Sequence, residues 1–386
     1  MLPNREIELY RDGQFRYIAA AIAGCVDFQE GGARVGRIWQ WLKWPVALGL
    51  IAVLYWNNQA AIEKLSTTEK NWSLLGLGVI CVAVTSLITF VRWYLLVAAQ
   101  GFDFRLQDAL RLGFVGLLFN YVGPGSAGGD LFKAFFLARE QTNRRAVAIA
   151  TVLLDRIMGV LALFVIGSCT TFLQTDWSSI PELRMTQYGL WIGALAGLAG
   201  IALMLSRWFT QSPLVRWLEK LPVIGKHFGE LLHGMELYQS QKRVIGLALA
   251  LSVVGQVVFI TGAWCCARSL VPQAPSLLTH FFFMPIAEVF GALVPTPGGL
   301  GALEGAIQGF YVLLTKGTMT TSEANAAGFL AAIAFRLASI VIAAIGAFYY
   351  LTARGEIDSA IHAAETAAVP SEPAKTDAAG TAPDAA

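Results

Sequence analysis

Residues 293–304 read LVPTPGGLGALE, a cluster of two prolines and three glycines that ends on Glu304. Proline and closely spaced glycines interrupt a helix, because proline lacks a backbone N–H and ordering glycine is entropically unfavourable. The residues on both sides, from 279 to 315, are nevertheless as apolar as those of membrane-embedded helices. The stretch therefore predicts a helix break at membrane depth, with a carboxylate beside it.

The composition is that of a membrane protein. Of the 386 residues, 56% are hydrophobic and only 14% are charged, and the mean hydropathy is +0.58. Soluble proteins carry about 25% charged residues, so a soluble globular class is excluded. We predict an all-α polytopic membrane protein, because segments near the roughly 20 apolar residues that span a bilayer recur along the chain. The six predicted crossings are 38–56, 73–99, 146–173, 188–206, 244–267 and 325–351.

A second chain break, GPGSAGGD at 123–130, interrupts another apolar region, 109–138. Its longer arm has 14 residues and reaches only about 21 Å, and its other arm has about 8; both fall short of a roughly 30 Å hydrocarbon core. We predict that 109–138 and 279–315 are re-entrant hairpins. The alternative for the second region is a single kinked crossing.

The distribution of Lys and Arg predicts the topology, since cytoplasmic loops are enriched in both. The segment 207–243 contains six basic residues, whereas 174–187 contains only Arg184. Both flanks of the first hairpin are basic, and those of the second carry only Arg268 and Lys316. We therefore expect a multi-pass protein of the cell inner (cytoplasmic) membrane with both termini cytoplasmic. The first hairpin would enter from the cytoplasm and the second from the outer face.

The order of these segments predicts an inverted repeat. Repeat A (73–173) and repeat B (244–351) each consist of a crossing, a hairpin and a crossing. Inverted repeats with discontinuous helices are typical of secondary transporters. The residues expected to form the two breaks are Gly123, Pro124, Gly125, Gly128, Gly129, Pro295, Pro297, Gly298, Gly299 and Gly301. The predicted domains are a cytoplasmic segment (1–37), a transmembrane domain (38–353) and a disordered cytoplasmic tail (354–386).

Ionisable residues at membrane depth are unfavourable and mark functional sites. In each repeat an acid follows the break and an arginine lies in the next crossing, which predicts the pairs Asp130–Arg156 and Glu304–Arg336. The alternative is that such pairs only lock helices together. Arg92 is expected near the end of its crossing, where its long side chain reaches the interface. The candidate substrate-binding residues are Asp130, Lys133, Asp155, Arg156, Glu288, Glu304 and Arg336.

Arginines in a wet cavity favour an anionic ligand, because guanidinium groups bind phosphate in a bidentate manner and helix N-termini add attraction for anions. The sequence contains no nucleotide-binding glycine motif and no Ser/His/Asp set, so we predict no catalytic residues and no enzyme activity. Its four histidines and five cysteines form no metal-binding spacing. We expect no metal, no cofactor and no nucleic-acid partner.

Four stretches, NYVGPGSAGGDLFKAFFLARE (120–140), LLDRIMG (153–159), PTPGGLGALEGA (295–306) and AFRL (334–337), resemble the lysylphosphatidylglycerol synthase transmembrane-region family of flippase-like proteins. The resemblance covers residues 45–350 and implies an integral membrane domain that moves a lipid between leaflets. Larger members carry a cytosolic aminoacyl-lipid synthase. Only a short tail follows residue 353 here, so we expect a member without that domain, and the lysylated lipid is not implied as its substrate.

The sequence therefore predicts flipping of an amphiphilic phospholipid, or of a lipid-linked headgroup, through a charged cleft between the two hairpins. The predicted partners are membrane lipids through a phospholipid headgroup, with a separate lipid-modifying enzyme as a further candidate. The alternatives are a membrane-embedded lipid-binding partner of a lipid-modifying transferase, and a secondary transporter of a small anion. The sequence predicts neither the lipid nor the oligomeric state.

Overall fold

The computed structural model describes residues 69–122, 127–141, 144–173, 180–206, 238–294 and 296–352, together with Trp56, Gln59 and Ser212 as isolated positions. This part of the chain is helical and contains no β-strand. A short 3-10 turn, Pro297–Gly299, lies between the helices Leu277–Leu293 and Ala302–Leu314. The helices are α1 (Trp72–Ala98), α2 (Leu106–Val122), α3 (Gly128–Glu140), α4 (Arg145–Leu173), α5 (Pro181–Met204), α6 (Lys242–Leu270), α7 (Leu277–Leu293), α8 (Ala302–Leu314) and α9 (Thr321–Thr352).

Five helices of the described chain, α1, α4, α5, α6 and α9, are long and apolar enough to cross a membrane. They coincide with five of the six predicted crossings, so the prediction of an all-α membrane protein is confirmed. The sixth predicted crossing, 38–56, lies outside the described residues apart from Trp56. The terminal segments and the break residues Gly123, Pro124, Gly125 and Pro295 also lie outside them.

The two broken regions have the same construction. Each is a helix of 17 residues followed by one of 13 residues: α2 with α3, and α7 with α8. The helices of the first region, α2 and α3, are longer than its predicted arms, because they continue through polar residues at their outer ends, such as Asp108 and Glu140. A 17-residue helix is still only about 25 Å long, less than a roughly 30 Å hydrocarbon core.

The first helices of the two repeats, α1 and α6, pack against each other in opposite directions. The Asn71 N–H donates to the Ser269 carbonyl (2.9 Å) near one end of the pair. Toward the other end, Arg92 Nη1 donates to Ser252 Oγ (2.9 Å). The helices approach closely, since a Cβ on Gly78 would lie 2.4 Å from the sulfur of Cys266. This antiparallel pair is the central contact between the repeats.

Each repeat packs its broken region onto the last helix of the other repeat. Helix α2 lies against α9, and helix α7 lies in the same way against α4. The contact of α2 with α9 is close, because a Cβ on Gly346 would lie 2.0 Å from the carbonyl oxygen of Phe114. The described helices therefore interlock as two halves of similar construction, and α5, which connects them in sequence, packs against α4 and α7.

The chain returns to its starting end of the bundle after each break. Arg144, just before α4, donates to the Gln100 carbonyl (2.9 Å), which lies just after α1. In the other repeat, the Tyr311 hydroxyl near the end of α8 lies 3.4 Å from His280 Nε2 near the start of α7. Because α1 and α6 are antiparallel, the two broken regions start from opposite ends of the bundle.

Gly129→Ala tests the close contact inside the first broken region. A Cβ at residue 129 would lie 2.1 Å from the carbonyl oxygen of Gly116, and this backbone atom cannot move aside without shifting α2. We expect a loss of about 1–3 kcal/mol in stability, typical of overpacking, measured as a lower apparent melting temperature in detergent. Gly305→Ala is the matched control, because no atom lies within 4 Å of a Cβ there. Equal melting temperatures for the two variants would contradict the contact.

Candidate functional site: a charged cavity between two helix breaks

The break in repeat B requires glycine. Gly298, in the turn Pro297–Gly299, has a φ of 61°, and Gly301, which precedes α8, has a φ of 85°. Both values lie in the left-handed region, which residues with a Cβ disfavour. The break also leaves peptide groups without helical partners. The Gly301 N–H donates to Glu304 Oε2 (2.7 Å), and the Gly298 carbonyl accepts from Arg336 Nη1 (2.6 Å).

The predicted pair Glu304–Arg336 is confirmed and is deeply buried. Arg336 Nε donates to Glu304 Oε1 (2.7 Å), and Nη2 lies 2.6 Å from the same oxygen. Only 9% of the arginine side chain and 4% of the glutamate side chain are exposed. Arg336 thus bridges the carboxylate and the Gly298 carbonyl, and fastens the break to α9. Glu304 also accepts the Gly301 N–H, so one of the free donors at the N-terminus of α8 is already bonded to a carboxylate of the chain.

The predicted pair Asp130–Arg156 is also confirmed, but it is more open. Arg156 Nη1 donates to Asp130 Oδ2 (2.9 Å), and 42% of the arginine side chain is exposed, compared with 22% for Asp130. Asp130 is the third residue of α3, as Glu304 is the third residue of α8. Within the described part of the chain, Asp130 is the only hydrogen-bond partner of Arg156. This guanidinium group therefore has donors left for a ligand.

Lys133 is held by aromatic rings. Its Nζ lies 5.4 Å from the ring centroid of Trp93 and 5.9 Å from that of Phe90, and 3.5 Å from Asp130 Oδ1. Its side chain is only 8% exposed. Cation–π attraction of this kind is worth up to about 2 kcal/mol in a desolvated site. Lys133 thus borders the cavity as a buried cation that supports Asp130.

The expectation that Arg92 reaches the membrane interface is wrong. Its Nε donates to Asp155 Oδ1 (2.6 Å), and its Nη1 donates to Ser252 Oγ (2.9 Å). The side chains of Arg92 and Asp155 are 7% and 6% exposed. Arg92 is enclosed by α1, α4 and α6, so its side chain is buried. Its guanidinium group therefore pairs with the nearby Asp155 carboxylate and does not extend to water at the interface. The pair ties α1, α4 and α6 together.

Glu288 differs from the other acids of the set. It lies in α7, and its Oε1 is buried without a hydrogen-bond partner among the described residues. Its charged neighbours are Arg336, Arg156 and Glu304. Each of the other three carboxylates is paired with an arginine. Glu288 is therefore the carboxylate of this cluster that has no direct partner.

These groups surround one cavity of about 340 Å³, which lies where the two breaks meet. Six of the seven predicted site residues line it, and Glu304 lies behind Arg336. Sequence reasoning missed Arg92, Asn120, Tyr121 and Gln256, which also line the cavity. For Asn120 and Gln256, the available signal was a polar amide side chain within an otherwise apolar helix. No cluster of His, Cys, Asp or Glu in the described ranges could hold a metal ion.

The family model of the lysylphosphatidylglycerol synthase TM region matches residues 40–359. The chain belongs to this family. A UPF0104 membrane protein of Methanocaldococcus jannaschii is 21% identical over 279 residues, which are 67% of this chain and 79% of that protein. No solved structure matches the chain. The match to this membrane-domain family spans both helix breaks and every residue of the charged cavity.

Substitutions of Arg92 and Asp155 test their burial. Arg92→Met leaves Asp155 as an uncompensated buried charge, and Asp155→Leu does the same to Arg92. Breaking a buried pair in this way costs about 3–5 kcal/mol, whereas replacing both partners with apolar residues is often neutral. We expect each single variant to lower the apparent melting temperature in detergent more than the double variant does. Additive losses in the double variant would show that the two side chains do not interact.

Proposed function

We propose that the protein moves an amphiphilic phospholipid headgroup between the two leaflets of the membrane, with the headgroup in the charged cavity and the acyl chains in the bilayer. The observation that carries the proposal is the half-exposed Arg156 guanidinium in a cavity between two helix breaks. Guanidinium groups with unused donors bind phosphate oxygens by charge-assisted hydrogen bonds. The family match supports a membrane role of this kind.

The lining of the cavity suits an amphiphile better than a fully polar solute. Charged groups stand beside apolar side chains such as Val82, Leu117, Val160 and Phe259. A headgroup can contact the charges while the adjoining acyl chains contact the apolar wall, so neither part needs to leave its preferred surroundings. A small hydrophilic anion would leave the apolar wall without a partner.

The phosphate would bind Arg156 in place of Asp130. Asp130 would then keep Lys133 as its counterion, since that ammonium group already lies 3.5 Å from its other carboxylate oxygen. The exchange leaves Asp130 with a cation, which keeps the electrostatic penalty of releasing Asp130 small. The Glu304–Arg336 pair would stay intact and hold the other break in position.

We further propose six crossings and two re-entrant hairpins in the cell inner membrane, with both termini cytoplasmic. The five spans of the described chain, the shortness of α2 and α7, and their opposite starting ends support this topology. Alternating access at the interface of inverted repeats is a mechanism that such an arrangement permits. In this mechanism, one repeat moves against the other around the cavity.

Single cysteines in a cysteine-free background test the second hairpin. Gln273 precedes α7 and Thr318 follows α8, and both are exposed. We expect Gln273→Cys and Thr318→Cys to react with a membrane-impermeant maleimide from the outer face only. Asp103→Cys, which precedes α2, and Gln141→Cys, which follows α3, should react from the cytoplasmic face only. Labelling of residues 273 and 318 from opposite faces would mean a single kinked crossing and would contradict the hairpin.

Arg156→Gln tests the proposed phosphate contact. A hydrogen bond to a charged group contributes about 1.5–3 kcal/mol, so we expect flipping to slow by roughly ten- to a hundredfold. The measurement is the accessibility of a fluorescent phospholipid to an external quencher in proteoliposomes. The matched control is Arg139→Gln, at an exposed position in the last turn of α3. Wild-type rates in Arg156→Gln would exclude this arginine from the translocation site, and uptake of a soluble anion without lipid movement would favour an anion transporter.

A further inference from the structure

The cavity has one carboxylate more than its arginines can pair. Asp155 is paired with Arg92, Asp130 with Arg156, and Glu304 with Arg336. The remaining acid, Glu288, has a buried oxygen with no hydrogen-bond partner in the described ranges. Burial without a hydrogen-bond partner disfavours the charged form of a carboxylate, so Glu288 stays ionised only while the positive charge of the nearby arginines compensates for its lost hydration.

The surroundings of Glu288 make its charge depend on the ligand. The charged groups that face it are Arg336 on α9, Arg156 on α4 and Glu304 on α8. In the described part of the chain, none of its charged neighbours belongs to α5 or α6, and the polar side chain that α6 adds to the cavity is the neutral Gln256. Arg336 is committed to Glu304 and to the Gly298 carbonyl. Arg156 is therefore the one nearby cation whose charge a ligand can take up.

The balance of charge around the cavity also favours protonation of Glu288 when an anion binds. The cations Arg92, Lys133, Arg156 and Arg336 stand against the acids Asp130, Asp155, Glu288 and Glu304. With all four acids ionised the cluster is neutral, so an added phosphodiester would give it a net negative charge in a poorly hydrated place. A single proton would restore neutrality. Glu288 is the acid of this cluster that is not paired with an arginine, so its protonation breaks no ion pair.

We propose that Glu288 takes up one proton when a phosphodiester anion binds at Arg156, so that the headgroup and the proton cross the membrane together. The proton enters from the side on which the headgroup binds, forms an O–H bond with the Glu288 carboxylate, and leaves to the other side when the headgroup is released. Coupling between two ligands is reciprocal, so a proton on Glu288 also strengthens phosphate binding by the same factor. The inference rests on the proposed function and adds to it a driving force, a proton gradient.

Proton uptake on binding is the direct test. Purified protein in weakly buffered detergent is mixed with dioctanoyl phosphatidylglycerol, and a pH indicator reports protons taken up at mildly acidic to neutral pH. We expect about one proton per bound lipid in the wild type and none in Glu288→Gln, as one titrating group requires. Glu182→Gln, at an exposed position in α5, is the matched control and should behave as the wild type. No uptake by the wild type, or unchanged uptake by Glu288→Gln, overturns the proposal.

Two further measurements distinguish a failure of the proton-coupling proposal from a failure of the proposed function. Glycerophosphoglycerol has the same headgroup without acyl chains; equal binding and proton uptake with this compound would assign the coupling to a soluble phosphodiester. In proteoliposomes, the wild type should flip lipid at least threefold faster from the acidic to the alkaline side than in the reverse direction, and Glu288→Gln should show no such difference. Absence of flipping under every gradient would refute the proposed function. Flipping at a rate that does not depend on the pH gradient would refute only the role of Glu288.

A chemical probe keeps the test independent of how the variant folds. Dicyclohexylcarbodiimide is apolar and reacts with protonated carboxyl groups. We expect it to modify Glu288 in the wild-type protein and to modify it more as the pH falls, as peptide mass spectrometry would measure. Absence of modification at residue 288 across the same pH range would overturn the proposal, because the carboxyl would then never hold a proton.

Discussion

A helix that stops inside a bundle of packed helices leaves peptide groups that need new hydrogen-bond partners, and this constraint governs the architecture. Each unsatisfied group costs several kcal/mol in hydrocarbon. The break in repeat B meets the constraint with two side chains: Glu304 accepts the Gly301 N–H, and Arg336 donates to the Gly298 carbonyl. The break in repeat A uses an amide, since Asn120 Oδ1 accepts the Gly129 N–H at 2.8 Å. The polar residues beside the two breaks are thus partly required by the backbone itself.

This requirement explains why only part of the site is accessible. Arg336 and Glu304 satisfy the break and each other, and their side chains are almost fully buried. Arg156 is paired with Asp130 alone among the described residues, Asp130 also lies near Lys133, and the arginine is partly exposed. The two repeats are therefore alike in construction and unequal in charge accessibility. The proposed phosphate contact belongs to the repeat in which the arginine is not needed to hold the backbone.

The two helix breaks and their ion pairs were predictable because short sequence patterns specify them. A proline and glycine cluster followed by an acid, and an arginine in the next crossing, predicted both breaks and both ion pairs. The Arg92–Asp155 pair was not predictable in this way, since its partners are 63 residues apart and no chain break marks either of them. The position of Arg92 near the end of its helix predicts a side chain that reaches the interface. That position carries no information on α6, which supplies Ser252 and closes the site from the third side. The exposure of Arg156 likewise depends on packing between helices and leaves no trace in the sequence.

The inequality between the two repeats has a consequence for any mechanism of alternating access. If both arginines were locked into their breaks, the cavity would hold only satisfied ion pairs, and a phosphate would have to break one of them without compensation. If neither were locked, the break in repeat B would lose the Arg336 hydrogen bond to its Gly298 carbonyl whenever the ligand bound there. One locked pair and one open pair avoid both difficulties, because α8 keeps its cap while Asp130 retains Lys133 at 3.5 Å. The carboxylate of Glu288, which has both arginines as charged neighbours and is paired with neither, then allows the net charge of the cavity to change when a ligand binds.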